Sequence, residues 1–347
     1  MKIAAVCLAA FTASCTLIPV TQVGPDTSAG TTPPTTSLAT SSVATTTVAL
    51  PIPTGGSATS PLATPTAAMP TPLALYMLEL INNDRAQFGL DPVVLGNNPA
   101  AQIHAQDMFD NYYLSHWGTD GLKPYARYTL GGGMNYEQEN SAYSGWYDRS
   151  VDPGSYATIV PAEELQQLEY QMMYGDADSN WGHRDNILNK WHKKVSIGIA
   201  FDSRRLTLVQ QFEGEYNEFT GMPVLDNGVL SLSGRITVGE LDSVALFFDP
   251  PPQPLNQSDL LNGPKSYSLG TRVATIVSPP PPGYYYSRLP ADAVQASSWN
   301  ISGGAFSVRA DVRTAVDRHG PGVYTVVIWT KSGTDYVILT NYSLFVR

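Results

Sequence analysis

The sequence predicts an α/β (α+β) chain in which a layered α/β domain is followed by an all-β module. Three observations carry this. Apolar residues recur at helical spacing after Thr71-Pro72, Asn98-Pro99 and Pro161. Val195 to Phe201 alternates, turns through Asp202-Ser203-Arg204-Arg205 and returns as Leu206 to Phe212, which reads as a closing hairpin. Past Phe219 the pattern changes to short alternating runs broken by Pro and Gly.

Each element has a local reason. Thr71 supplies a cap and Pro72 suits the first helical position. Leu73, Tyr76, Met77, Leu80 and Ile81 then form one face, which Phe88 continues until Gly89 stops the helix. In the second helix Ala101, His104, Ala105 and Met108 share a face, so His104 reads as a core histidine, with a place in a cleft as the lesser alternative. Leu114-Ser115-His116-Trp117-Gly118 falls in a loop. The third helix puts Leu165, Leu168 and Met172 on one face with Glu169 and Met173 beside them, and runs into Gly175-Asp176. Helices first and a hairpin last imply a mostly antiparallel sheet. In the second module the clear strands are Val244 to Phe248, Phe306 to Ala310, Val323 to Trp329 and Tyr342 to Val346, separated by proline runs at 250–252 and 279–282. Roughly 125 residues of this kind suggest a β-sandwich resembling an immunoglobulin-like module. No catalytic constellation stands out there, and Tyr284-Tyr285-Tyr286 reads as packed aromatics or, less often, as an exposed patch.

Bulk chemistry narrows the function. Only 14% of the 347 residues are charged, and 29 Gly and 27 Pro fit a secreted, loop-rich or β-rich protein. A net charge of −10 without a basic stripe argues against nucleic acid. Both cysteines, Cys7 and Cys15, lie in the first fifteen residues, so the rest of the chain has no thiolate nucleophile, disulfide or thiolate metal site. Met1-Lys2 and the apolar run from Ile3 to Ala13 read as a signal peptide, too short to span a bilayer. Thr12-Ala13-Ser14-Cys15 resembles the bacterial lipobox, with Thr12 where leucine is usual, which implies a lipid on Cys15; the alternative is a plain signal peptide and full secretion. Residues 16–70 are a Thr/Ser/Pro-rich linker, read as a stalk.

The most telling segment is Trp181-Gly182-His183-Arg184-Asp185-Asn186-Ile187-Leu188, whose order no packing role demands. With Leu80-Ile81-Asn82-Asn83-Asp84-Arg85, Gly89-Leu90-Asp91-Pro92, His104-Ala105-Gln106-Asp107-Met108, Leu114-Ser115-His116, Glu139-Asn140 and Gln210-Gln211-Phe212, it stands in the order seen in the CAP superfamily. That superfamily groups cysteine-rich secretory, antigen 5 and pathogenesis-related 1 proteins (SCP-like extracellular domains), and this chain resembles its bacterial branch. The resemblance covers residues 71–219 and implies an α-β-α sandwich, leaving 220–347 to the β-sandwich. It also implies a cleft lined by His116, Glu139, Asp176 and His183, with Gln138 in place of the usual glycine and Glu169 as the fallback for Asp176.

Two imidazoles and two carboxylates suit Zn2+ or another divalent cation, and equally an acid/base pair. The structural alternative is that His116 and His183 hydrogen-bond to Glu139 and tie two loops together. The common metalloprotease His-Glu-x-x-His and the Gly-x-Ser-x-Gly elbow are both absent. His192 is expected in an exposed turn and His319 in a Gly-Pro turn. Tyr143, Trp146, Tyr147 and Tyr156 suggest an irregular aromatic loop roofing the cleft. The resulting expectation is binding rather than catalysis: a cell-surface protein holding a lipid, another hydrophobic small molecule or a divalent metal. The alternatives are a metal-assisted, peptidase-like hydrolase acting on cell-envelope material, or adhesion through the β-domain.

Overall fold

A computed structural model describes residues 17–19, 71–145 and 158–347. The segment expected to be a signal peptide, Cys15, most of residues 16–70, and Trp146, Tyr147 and Tyr156 of the expected aromatic roof lie outside the described residues. Within that stretch the described residues Leu17–Pro19 form a strand, β1.

The first domain opens as its caps require. Thr71 Oγ1 accepts from Ala74 N at 3.2 Å at the start of α1 (Pro72–Gln87). The face is set by Met77 and Ile81, both fully buried, but it ends earlier than the spacing suggests: Phe88 is 44% exposed. β2 (Val94–Leu95) and α2 (Ala100–Asn111) follow, then α3 (Pro124–Leu130) and β3 (Glu137–Gly145). α3 and β3 carry no strong periodic signal in sequence, because α3 is a single short segment and β3 is buried through polar residues. α4 (Pro161–Tyr174), a 3-10 turn at Asp176–Ser179 and α5 (Gly182–Ile187) lead to the hairpin β4 (Lys194–Phe201) and β5 (Arg205–Glu213).

The sheet runs β2-β4-β5-β3, antiparallel except for the β2–β4 pair. Its two faces show in β5, where every residue is buried. Leu206, Leu208 and Phe212 join Met77, Ile81, Leu165 and Met173 of α1 and α4. Val209, one step out of phase, joins Ala101, Ala105 and Met108 of α2. A period of two residues sends alternate side chains to opposite faces, so helices cover both and the domain is a three-layer α-β-α sandwich. Gly198 of β4 allows this closeness: a Cβ there would lie 2.1 Å from the Ala101 carbonyl oxygen of α2.

The second domain begins with β6 (Asn217–Asp226), slightly before the composition changes. β7 (Val229–Ile236), β8 (Glu240–Asp249), the short α6 (Gln257–Asn262), β9 (Thr271–Val277), β10 (Tyr284–Tyr286), β11 (Ala293–Gln295), β12 (Ser298–Ser302) and β13 (Ala305–Asp311) follow. α7 (Arg313–His319), β14 (Gly322–Ser332) and β15 (Asp335–Val346) complete it. A sheet of order β11-β9-β8-β14-β15 packs on one of order β12-β13-β7-β6. Alternate residues such as Phe306, Val308 and Ala310 meet Val244, Leu246, Tyr324, Val326 and Ile328 in the core. His319 ends α7 directly before Gly320-Pro321 and leans on Phe248, ring centroids 4.9 Å apart.

The domains are joined by specific polar contacts. Tyr136 N donates to Leu339 O (2.9 Å), and Glu137 and Asn341 exchange hydrogen bonds between backbone and side chain. Lys123 and Tyr125 both reach Asp249, at 2.7 and 2.5 Å. Together these tie α3 and β3 to the sandwich.

Candidate functional site

The four residues implied by resemblance fall into two pairs. On β3, Glu139 is fully enclosed and receives His116 Nδ1 at 2.9 Å and Arg127 Nη2 at 2.9 Å. Behind them His104 donates Nε2–H to Ser115 O at 2.9 Å and stands 3.7 Å from Glu139. Burial alone would raise the Glu139 carboxyl, but Arg127, with His104 and His116, overrides it and holds it at about 2. Burial and the Arg127 charge push His104 down to about 4, so it is a neutral core imidazole, as its helix face indicates. Tyr267, from the second domain, closes this pair. Its hydroxyl accepts from Glu139 N at 2.8 Å and its ring lies 4.7 Å from that of His116. Arg127 and Tyr267 were not legible as site residues: one sits in a short helix without a motif, the other in a different domain.

The second pair is His183 with Asp176. Gly175 ends α4, and the turn that follows places Asp176 at the start of α5. There Asp176 Oδ2 accepts from His183 N (2.9 Å) and Arg184 N (3.2 Å), capping the helix, while Oδ1 accepts from His183 Nδ1 at 2.6 Å. Burial works to raise Asp176, and the His183 hydrogen bond and charge outweigh it, leaving the carboxyl below its ordinary value. Trp181, just ahead of α5, holds a left-handed backbone at φ 64°, an uncommon conformation for a bulky residue. The buried Arg85 of α1 secures the other end of α5, donating to Ile187 O (2.6 Å) and Asn189 O (3.0 Å). This gives the Asn82-to-Arg85 motif its structural reason.

Glu169, the fallback acid, is elsewhere. It sits on the buried face of α4, accepts from Gln210 Nε2 at 2.5 Å, and leaves Oε1 unpartnered. Burial raises it to about 8 despite the Gln210 bond, with Asp84 adding to the rise. A polar chain links it to the His183 loop: Gln210 Oε1 accepts from Asn140 Nδ2, which also donates to His183 O, both at 3.1 Å. His192 is not in an exposed turn. It is buried, stacks on Phe212 at 5.2 Å, contacts Asn186 O through Nδ1 at 2.9 Å, and is lowered to about 3 by burial.

These shifts set a pH dependence. His104 and His192 have folded values below the unfolded 6.5, so the folded state binds fewer protons between 6.5 and about 4. Stability is therefore expected to fall as pH drops through that window, by about 2–3 kcal/mol per pH unit if both contribute fully. Denaturant titrations from pH 7 to 4 check this. Glu169 has the opposite sign. Its raised value favours the fold at low pH and costs stability as pH climbs from about 4.5 to 8, so Glu169→Gln should flatten that limb.

A cleft of about 500 Å³ opens between β3 and α4. Leu114, Ala142, Leu168 and Met172 give it apolar wall, with Tyr143 at β3 and Asp176 and His183 at one end. Tyr143 thus belongs to a strand rather than an irregular roof. His116 and Glu139 do not line this cavity. Because Asp176 only accepts, His183 carries its proton on Nδ1 when neutral, and Nε2 remains as an acceptor for a ligand. Among the described residues no group of three or more His, Cys, Asp or Glu is spaced to hold a metal ion. The oxygens of Glu139 and Asp176 already carry hydrogen bonds, and Arg127 sets a positive charge beside Glu139. A four-residue metal cage does not fit these donors; two carboxylate-oriented imidazoles remain.

Residues 78–212 match the family model described as CAP: Cysteine-rich secretory protein family. Among solved structures the chain is similar to the CAP domain of enterococcal PrgA, at 16% identity and a TM-score of 0.27. That similarity covers 41% of this chain and 60% of the PrgA domain chain. A search of curated proteins returned no match.

Proposed function

Starting from a CAP domain of the cysteine-rich secretory protein family at residues 78–212, we propose that this chain binds a hydrophobic small molecule outside the cell. The ligand occupies the cleft between β3 and α4. The matched family is described as one of secretory proteins, which supports a place outside the cell. Lipid attachment at Cys15 completes the reading by holding the protein at the cell surface.

The observation that carries the proposal is the cleft itself. Its volume of about 500 Å³ is of small-ligand size, and it is an open cleft in which apolar Leu114, Ala142, Leu168 and Met172 share the lining with polar groups such as Ser141, Gln171 and His183. His183 Nε2 suits a ligand hydroxyl, so an amphipathic molecule with an apolar body and a hydroxyl head, such as a sterol, fits best. Gln171 lines the cleft from the exposed side of α4, and Gln171→Trp is expected to fill it without disturbing the core. Titration of a fluorescent sterol should show affinity falling at least about tenfold in that variant. His183→Ala should cost about 3–10-fold, one lost hydrogen bond. Saturable sterol binding indifferent to Gln171→Trp would sink the proposal.

A further inference from the structure

We propose that the ribbon formed by β1 and β10, with the loop from Pro279 to Arg288, is the face on which this protein rests against an anionic lipid surface. The sandwich then lies at the membrane instead of being raised on a stalk. This rests on the reading of Cys15 as the lipid-bearing residue.

Chain length makes the first argument. β1 pairs antiparallel with β10, Leu17 opposite Tyr286, Ile18 opposite Tyr285 and Pro19 opposite Tyr284. Only Thr16 separates Cys15 from Leu17, and two Cα–Cα steps span at most about 7 Å. A lipid on Cys15 therefore enters the bilayer beside this ribbon, wherever residues 20–70 travel afterwards. A free stalk would have placed the anchor a long flexible chain away from either domain.

The surface chemistry makes the second. The ribbon is its own two-stranded sheet, apart from both layers of the sandwich. Tyr284 is 45% exposed and Tyr285 48%, while Pro279, Pro281, Pro282, Gly283 and Arg288 are exposed around them. Tyr286 ties the ribbon down, its hydroxyl donating to Ser278 O at 2.6 Å. From Pro279 to Arg288 there is no Asp or Glu, in a chain whose net charge is −10. Exposed tyrosines favour the headgroup level of a bilayer, and Arg288, the one charged residue of the loop, adds a single charge's small attraction toward an anionic leaflet. The sequence reading that expects these tyrosines to pack is corrected for Tyr284 and Tyr285, and their exposure acquires a use.

The test tethers the chain, beginning at Cys15, through that thiol to a maleimide lipid in phosphatidylcholine–phosphatidylglycerol vesicles, and follows amide exchange. Exchange at residues 283–288 is expected to slow about tenfold on tethering, with α1 unchanged. Tyr284→Ser with Tyr285→Ser should abolish the slowing while the tether stays intact. No slowing at 283–288, or equal slowing across α1, overturns the proposal. The mass of the cell-derived protein reports separately on Cys15: an unmodified cysteine removes the anchoring reading, and the vesicle result still judges the face.

Discussion

Arg127→Met is expected to lower the unfolding free energy by about 3–5 kcal/mol at neutral pH, measured by denaturant titration. Glu139 has no exposed side-chain surface, and Arg127 is its cationic partner at 2.9 Å. Methionine would leave a carboxylate enclosed with only imidazoles beside it. The same guanidinium donates to Leu122 O at 2.5 Å, so that carbonyl loses one of its two donors and keeps only Gly118 N at 3.1 Å. Two further outcomes test the cause. Arg127→Met combined with Glu139→Gln should recover much of the loss, because the unpaired charge is gone. The sign of the pH effect follows from Glu139: its value is depressed in the intact protein, so its contribution is present above the unfolded value and lost as pH falls toward about 2. Without Arg127 burial raises that carboxyl, and the deficit should shrink on mild acidification. A deficit independent of pH and of Glu139 would mean that Arg127 acts only by packing.

Gly198→Val is expected to cost about 3 kcal/mol or more and to loosen α2. The Cβ of any residue at this position would meet Ala101 O at 2.1 Å, Ala101 C at 2.3 Å and Gln102 N at 2.7 Å. All three atoms are helix backbone, so no side-chain rotation relieves the clash; α2 must move off the sheet. That movement would carry His104, which shares α2 with Ala101, away from Glu139. The check is paired: a lower thermal midpoint, and faster amide exchange across Ala100–Asn111 than across α1. A glycine in a strand that otherwise alternates cleanly marks such a close approach, and here the approaching backbone is identified.

The helix starts at Thr71-Pro72, Asn98-Pro99 and Pro161, and the β4–β5 hairpin, were readable because caps and periodicity are local. Pairing His183 with Asp176 rather than Glu169 was readable only through resemblance, since both acids sit near the end of one helix. In space the difference is one of environment. Asp176 follows Gly175 into a turn that meets the α5 amides, while Glu169 points under α4 to Gln210. His192 misled because Trp191-His192-Lys193-Lys194 looks solvated, yet the ring finds Phe212 on β5.

By itself the sequence determined where three helices start, the closing hairpin, the change to short strands after the hairpin and the identity of the polar residues available for a site. Period, caps and composition are properties of neighbouring residues, and these features depend on nothing else. Tertiary structure alone decided how those polar residues divide. Glu139 is enclosed by Arg127, His104, His116 and, from the second domain, Tyr267; Asp176 and His183 are left to line the cleft. That division depends on contacts such as Glu139–Tyr267, 128 positions apart, and on which carboxylate finds a cation when water is excluded. No local pattern encodes either.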